Sequence, residues 1–214
     1  VSTYKNELIS NKLIFTGGID IRYYVGHHNN EIIDLYDGAY YMDDSSRKGV
    51  KPENNIAALD PNWKYEKLGV GDVIYRDYDG HTHQEGIYAQ AEYSAFDGKL
   101  TTVLAGSLSN TGYWRVDNFY YDKEHAKSET LNFLGGTIKG GANYNIDRHN
   151  NVFVNVGYIS RAPFFSGGAF LSSTVSNATN PDAINEKIAS FEVGYGYHSP
   201  IFTAEVNAYF TEWM

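Results

Sequence analysis

Apolar and polar residues alternate along five stretches of the chain, and each stretch holds its phase. Leu13, Phe15, Gly17, Ile19, Ile21 and Tyr23 take one set of positions, while Thr16, Gly18, Asp20 and Arg22 take the other. The same split sets Ile87, Ala89, Ala91 and Tyr93 against Gln90, Glu92 and Ser94. Val152, Val154, Val156 and Tyr158 oppose Asn155 and Gly157; Phe191, Val193, Tyr195 and Tyr197 oppose Glu192, Gly194 and Gly196. Phe202, Ala204, Val206, Ala208 and Phe210 oppose Thr203, Glu205, Asn207 and Thr211. A period of two puts the two sets on opposite faces of a β-strand. Strands are therefore predicted at 12–25, 84–96, 99–110, 129–145, 151–160, 188–197 and 201–213, with Val1–Ile9 as a further candidate. In 129–145 the pairs Gly135-Gly136 and Gly140-Gly141 predict bends or bulges.

The joins between these strands alternate in length. Long connections (Gly26–His83, Thr111–Ser128, Arg161–Lys187) take turns with short ones (Phe96–Lys99, Asp147–Asn150, His198–Pro200). An up-and-down antiparallel strip with tight turns at one end and long loops at the other is the wall of an outer-membrane β-barrel. A soluble sandwich also alternates, but its Greek-key returns mix loop lengths at both ends. Aromatics mark the strand ends: Tyr23, Tyr24, Tyr113, Trp114 and Tyr158 towards the long loops, Tyr93, Phe96, Tyr144, Tyr197 and Phe202 towards the turns. Such girdles belong at the two membrane surfaces. The apolar face is rich in alanine (Ala89, Ala91, Ala204, Ala208), which would fill a soluble core poorly.

Composition narrows the function. The 214 residues include 19 tyrosines and no cysteine, so neither a disulfide framework nor a thiolate metal site is expected. A net charge of −9 argues against a nucleic-acid surface. No apolar run is long enough for a transmembrane helix. The opening Val1-Ser2-Thr3-Tyr4 reads as strand and carries no signal-peptide pattern.

One region is more specific. Tyr158-Ile159-Ser160-Arg161-Ala162-Pro163-Phe164 is followed by Asn180-Pro181-Asp182-Ala183-Ile184-Asn185-Glu186-Lys187 and then Phe191-Glu192-Val193-Gly194-Tyr195. This succession resembles the C-terminal half of TonB-dependent outer-membrane receptors, with Ile184 and Asn185 standing where the family usually has Leu and Pro. Gly18–Tyr24 and Glu31–Gly38 look like receptors of this type from Bacteroides-like bacteria. The resemblance implies an all-β, antiparallel up-and-down meander forming part of a large barrel of about 22 strands around a plug. Residues 1–214 then read as a piece of a longer receptor, seven or eight strands of the barrel domain, without the plug domain and the remaining strands. It also implies transport of a scarce nutrient (iron chelate, haem, cobalamin or glycan) across the bacterial outer membrane. The implied partners are outer-membrane lipid, the TonB system acting through the plug, an extracellular small-molecule or glycan ligand, and a surface lipoprotein as a further candidate. The alternative is a soluble all-β binding module, carbohydrate recognition being one option.

Candidate chemistry gathers in the long connections. His27, His28, His81 and His83 bracket the first, where imidazoles could converge on haem iron or a divalent metal; solvated loop histidines are the plainer reading, and no metal or cofactor is assigned. Asp34, Asp37, Asp43 and Asp44 could offer oxygens to calcium, but solvated acids are the commoner case. Asp77-Tyr78-Asp79-Gly80 hints at a calcium loop and reads better as a turn. Glu85, Glu92 and Asp117 show no partner that would make a catalytic pair, and no triad is indicated, so an enzyme is not expected. Aromatics are the stronger signal, because they stack on sugar rings or flat chelates at low entropy cost, while large loops equally need such rings for their own internal packing. The expected ligand-binding loop residues are His27, His28, Trp63, His81, His83, Tyr113, Trp114, Phe164 and Phe165.

Overall fold

The computed structural model describes residues 1–43, 62, 64–171 and 176–214. Its strands are β1 (Ser2–Ile9), β2 (Leu13–Glu31), β3 (Tyr41–Asp43), β4 (Glu66–Leu68), β5 (Val73–Ala95), β6 (Leu100–Asp117), β7 (Leu131–Asn145), β8 (Asn150–Arg161), β9 (Glu186–His198) and β10 (Thr203–Trp213). Eight of them pair antiparallel in the order β1-β2-β5-β6-β7-β8-β9-β10, and β3 with β4 makes a small ribbon inside the first long connection. This is the meander the connection lengths predict, and Val1–Ile9 is indeed a strand. The wall does not close on itself: β1 and β10 are its two edges.

The turns at one end are built from their own residues. In the β5–β6 turn the Lys99 amide donates to the Phe96 carbonyl at 3.1 Å. Phe96 (φ 53°), Asp97 (φ 54°) and Gly98 (φ 84°) are all left-handed and the ladder closes at Ala95↔Leu100, so the turn spans four residues, with Asp97 and Gly98 well suited to positive φ. In the β7–β8 turn the Asp147 carboxylate accepts from the amides of His149 and Asn150, which holds its pKa below the ordinary carboxylate value.

Directly opposed residues in the ladders share a face, so the register sorts the wall into two surfaces. Ile19↔Ile87↔Leu108↔Gly136 runs along one of them. Leu104, Leu108, Leu134, Ile138 and Val206 on that face are 58–73% exposed. No second large sheet covers it among the described residues, which removes the sandwich alternative. Lipid must cover these side chains if they are to leave water. Polar residues limit the band above at Glu85, Asn110, Asn132, Lys187 and Glu212, and aromatics below at Tyr93, Tyr144 and Tyr197. Roughly 8–12 residues of tilted strand lie between the limits, a height of about 20–30 Å, which matches the apolar band of an outer-membrane wall.

The other surface is polar. Asn155 and Asn207 both donate to the Glu192 carboxylate across three strands, and Arg22 pairs with Asp20. Residues from β6 (Thr101, Val103) to β10 (Glu205) line one concavity of about 700 Å³ on this side, so the sheet curls towards it and it is the inner face. Gly194 on this face lies under the ring of Phe153, where a Cβ would come within 2.3 Å of the ring.

Two expectations fail. The glycine pairs of β7 make no bulge, because pairing with β6 and β8 is continuous there. Glycine serves close approach instead: a Cβ on Gly135 would lie 2.6 Å from the Ser160 carbonyl oxygen. The strands also run farther than their apolar residues. β2 continues to Glu31, β5 starts at Val73 and β6 ends at Asp117. Above the band both faces meet water or loop, so alternation fades while the backbone ladder persists.

Candidate functional site

The extended ends of β2, β5 and β6 form a crown above the band, and most of the buried side chains among the described residues gather on its inner side. β6 turns Tyr113, Arg115 and Asp117 inward and Trp114 outward. The Arg115 guanidinium carbon lies 3.8 Å from the centre of the Tyr78 ring on β5. Its Nη2 donates to Asp117 Oδ2 at 3.1 Å and its Nη1 to the Ser176 carbonyl at 2.9 Å. The two side chains are 2% and 0% exposed. A buried pair of this kind holds only when its remaining polar valences are filled. On the carboxylate side Asp117 Oδ1 accepts the amides of Phe119, Tyr120 and Tyr121, the start of the second long connection. Tyr120, fully buried, donates from its hydroxyl to the Tyr75 carbonyl at 2.6 Å.

The second and third connections fold together over this core. Asn177 donates from its side chain to the Ala126 carbonyl at 2.8 Å and from its amide to the Tyr121 hydroxyl at 3.2 Å. Thr179 donates to Glu129. Phe165 roots the third connection, with ring centres 5.5 Å from Tyr113 and 4.8 Å from the buried Phe170. Its ring lies over Gly80, where a Cβ would come within 3.1 Å. Asp79-Gly80 is therefore a stretch of β5 and not the turn expected, and its glycine makes room for an aromatic ring.

The predicted residues divide between the two faces. His27 and His28 are on β2, His81 and His83 on β5, Tyr113 and Trp114 on β6; none of the six is in a loop. The alternation of a strand then parts the histidines. His28 faces inward against Tyr78, ring centres 4.8 Å apart, and its burial, followed by the nearby guanidinium of Arg76, lowers its pKa. His27, His81 and His83 face outward. His27 Nδ1 meets Asp79 Oδ1 at 2.7 Å, and that bond raises its pKa. His81 stacks on Trp114 at 4.9 Å and its Nδ1 meets the Tyr23 hydroxyl at 2.7 Å. This outward cluster lies at the upper rim of the band, where a girdle aromatic belongs. Among the described residues no three His, Asp or Glu side chains are placed to hold a metal. Trp63 and Asp44 lie outside the described residues. Phe165 and Tyr113 meet on the inner side, while Phe164 stands apart, exposed, 5.6 Å from the Arg161 guanidinium. Asp117, without a visible partner in the sequence, has one in Arg115 two positions earlier on the same face. The i, i+2 spacing of Arg and Asp was the signal for it.

An uncovered apolar band, a polar inner face and packed outer loops define one wall of an outer-membrane barrel. The TonB dependent receptor-like β-barrel family model matches residues 2–213, and the chain belongs to that family. No curated protein matches the chain. Membership places it in the outer membrane of Gram-negative bacteria, among outer-membrane lipids, in a class of transporters, not enzymes, that work with the TonB system.

Proposed function

We propose that the crown captures a scarce extracellular nutrient and that the wall below belongs to a larger closed barrel through which it is imported. The observation that carries this reading is the buried Arg115–Asp117 pair, which binds the second and third connections to the inner face. A surface held in that way is ordered before ligand arrives, and preorganisation lowers the cost of binding. Of the candidate nutrients, an iron chelate, cobalamin or a glycan suits a surface of aromatic rings and amides. Ligation of haem iron by the four histidines is disfavoured, since His28 faces away from the other three. Further strands would pair with the edges of β1 and β10, because an open edge in lipid leaves backbone groups unsatisfied. A plug reached by the TonB system and a surface lipoprotein complete the proposal.

Removal of the first connection tests the capture role in the full-length receptor. The cut should stay within residues 34–70, since Tyr75 and Tyr78 are part of β5. Normal insertion with lost uptake is the expected result. Normal insertion with uptake at the wild-type rate would show that this connection takes no part.

A further inference from the structure

Six non-glycine residues among the described ones have a positive φ; five stand in turns, and Tyr75 (φ 62°) alone stands inside a strand. A bulky side chain in the left-handed region is strained, and such strain persists only where the surroundings hold it. Tyr75 lies in a bulge at the root of the first connection. The β2–β5 ladder runs to Asn29↔Asp77 and resumes at Glu31↔Val73, so Asn30 alone faces Ile74, Tyr75 and Arg76. Arg76 Nη2 donates across the bulge to Asn30 Oδ1 at 2.7 Å. Beyond it the Ile32 amide donates to the Asp72 carbonyl and the Gly71 amide to the Ile32 carbonyl, so the root is ordered on both sides of Tyr75.

Tyr75 joins three parts of the crown. Its backbone belongs to the wall. Its ring stands edge-on to Tyr41 of the β3–β4 ribbon, centres 6.4 Å apart, and the two hydroxyls meet. Its carbonyl accepts at 2.6 Å from the hydroxyl of Tyr120, which lies fully buried in the second connection. Rotation of φ to the extended region swings both ring and carbonyl relative to the preceding backbone, so neither contact survives it. Backbone strain of this kind and the loss of an acceptor by a buried hydroxyl are similar in size. The contact with the ribbon therefore tips the balance between the two conformations.

We propose that Tyr75 is a two-position hinge that couples the first connection to the second. With the ribbon seated, Tyr75 is held left-handed and Tyr120 keeps this acceptor. With the ribbon lifted, Tyr75 relaxes and the second connection loosens at Tyr120. Coupling of this kind runs both ways. The inference goes beyond the capture reading, and its test reads order and not uptake, so either can fail without the other.

The test is hydrogen exchange, followed by mass spectrometry, on the detergent-purified full-length receptor. Tyr75→Phe and Tyr41→Phe each remove the hydroxyl contact and keep the ring, and each should speed exchange at 118–121 about tenfold. Tyr75→Gly removes hydroxyl and ring together but bears no left-handed penalty, so exchange at 118–121 should stay within about twofold of the wild type. In the reverse direction, Tyr120→Phe should speed exchange in β4. The amides of β7 and β8 should be unchanged in all four variants. Unaltered exchange at 118–121 in both phenylalanine variants of the first contact overturns the coupling, as does a ribbon indifferent to Tyr120→Phe. If Tyr75→Gly opens 118–121 as far as Tyr75→Phe does, strain is not the cause and the hinge is overturned. Exchange that spreads to β7 and β8 overturns it too, since the opening would then be global.

Discussion

The band and the crown share one hydrogen-bonded ladder, and different forces hold them. In the band, face decides everything: Ile87, Leu108, Ile138 and Val206 are exposed on the lipid side, and Gln90, Asn155, Glu192 and Asn207 line the other. Its stability comes from matching each side chain to its solvent. In the crown neither face meets lipid, and stability comes from a buried polar network and packed aromatic rings. One carboxylate, Asp117, satisfies a guanidinium and three amides, and a single arginine joins two connections to the wall. Polar change in the band is therefore expected to be tolerated on one side only, whereas loss of Arg115 or Asp117 should loosen the connections they hold.

The sharpest test of that contrast is Arg115→Met. It leaves Asp117 buried without its counter-charge, a loss of about 3–5 kcal/mol. Hydrogen exchange should show 118–130 and 176–185 opening together while the amides of β7 and β8 stay protected. Exchange spreading through the band would mean that the two regions are one cooperative unit.

Next in size is a charge on the lipid side. Val193→Arg or Val206→Arg should cost about 2–4 kcal/mol near the bilayer midplane, measured by denaturant unfolding of the full-length receptor in vesicles. Asn207→Ser, on the inner face beside Glu192, should be mild in the same assay. Equal losses would refute the assignment of faces.

A smaller effect belongs to the inner face of the band. Gly194→Val must displace the Phe153 ring, which a Cβ would approach to 2.3 Å; such overpacking costs about 1–3 kcal/mol. The paired change Phe153→Ala should recover part of it. Absence of any recovery would place the strain elsewhere.

The smallest is a pH effect confined to the crown. His27 bonds Asp79, with Asp77 and Glu31 also near, and its pKa is raised in the folded state. A group of this sign stabilises fully below its unfolded pKa, near 6.5, and the contribution is lost as pH rises through the higher folded value. Protection of the β2–β5 amides beyond Gly26 should therefore fall between mildly acidic and mildly alkaline pH, and Asp79→Asn should weaken the dependence. An identical profile in that variant would assign the effect to another group.

Alternation by itself determined most of the band. The phase of Leu13 to Tyr23, of Val152 to Tyr158 and of Phe202 to Phe210 named the lipid face correctly, because the strand period is two and lipid leaves no choice of side chain. Asp97-Gly98 likewise announced its turn, since the φ values demanded there suit that pair. The Arg161 to Tyr195 motifs carried the family. Tertiary structure alone decided where the strands stop and who meets whom above the band. β2 and β5 pair through His27 and His81 because a backbone ladder needs no apolar residues, and polar sequence beyond the band looks the same in a strand as in a loop. His27 and His28 part because neighbouring positions on a strand point to opposite faces, while His81 and His83, two positions apart, share one. Phe165 finds Tyr113 and Gly80, and Arg115 finds Ser176, across separations that no local pattern encodes.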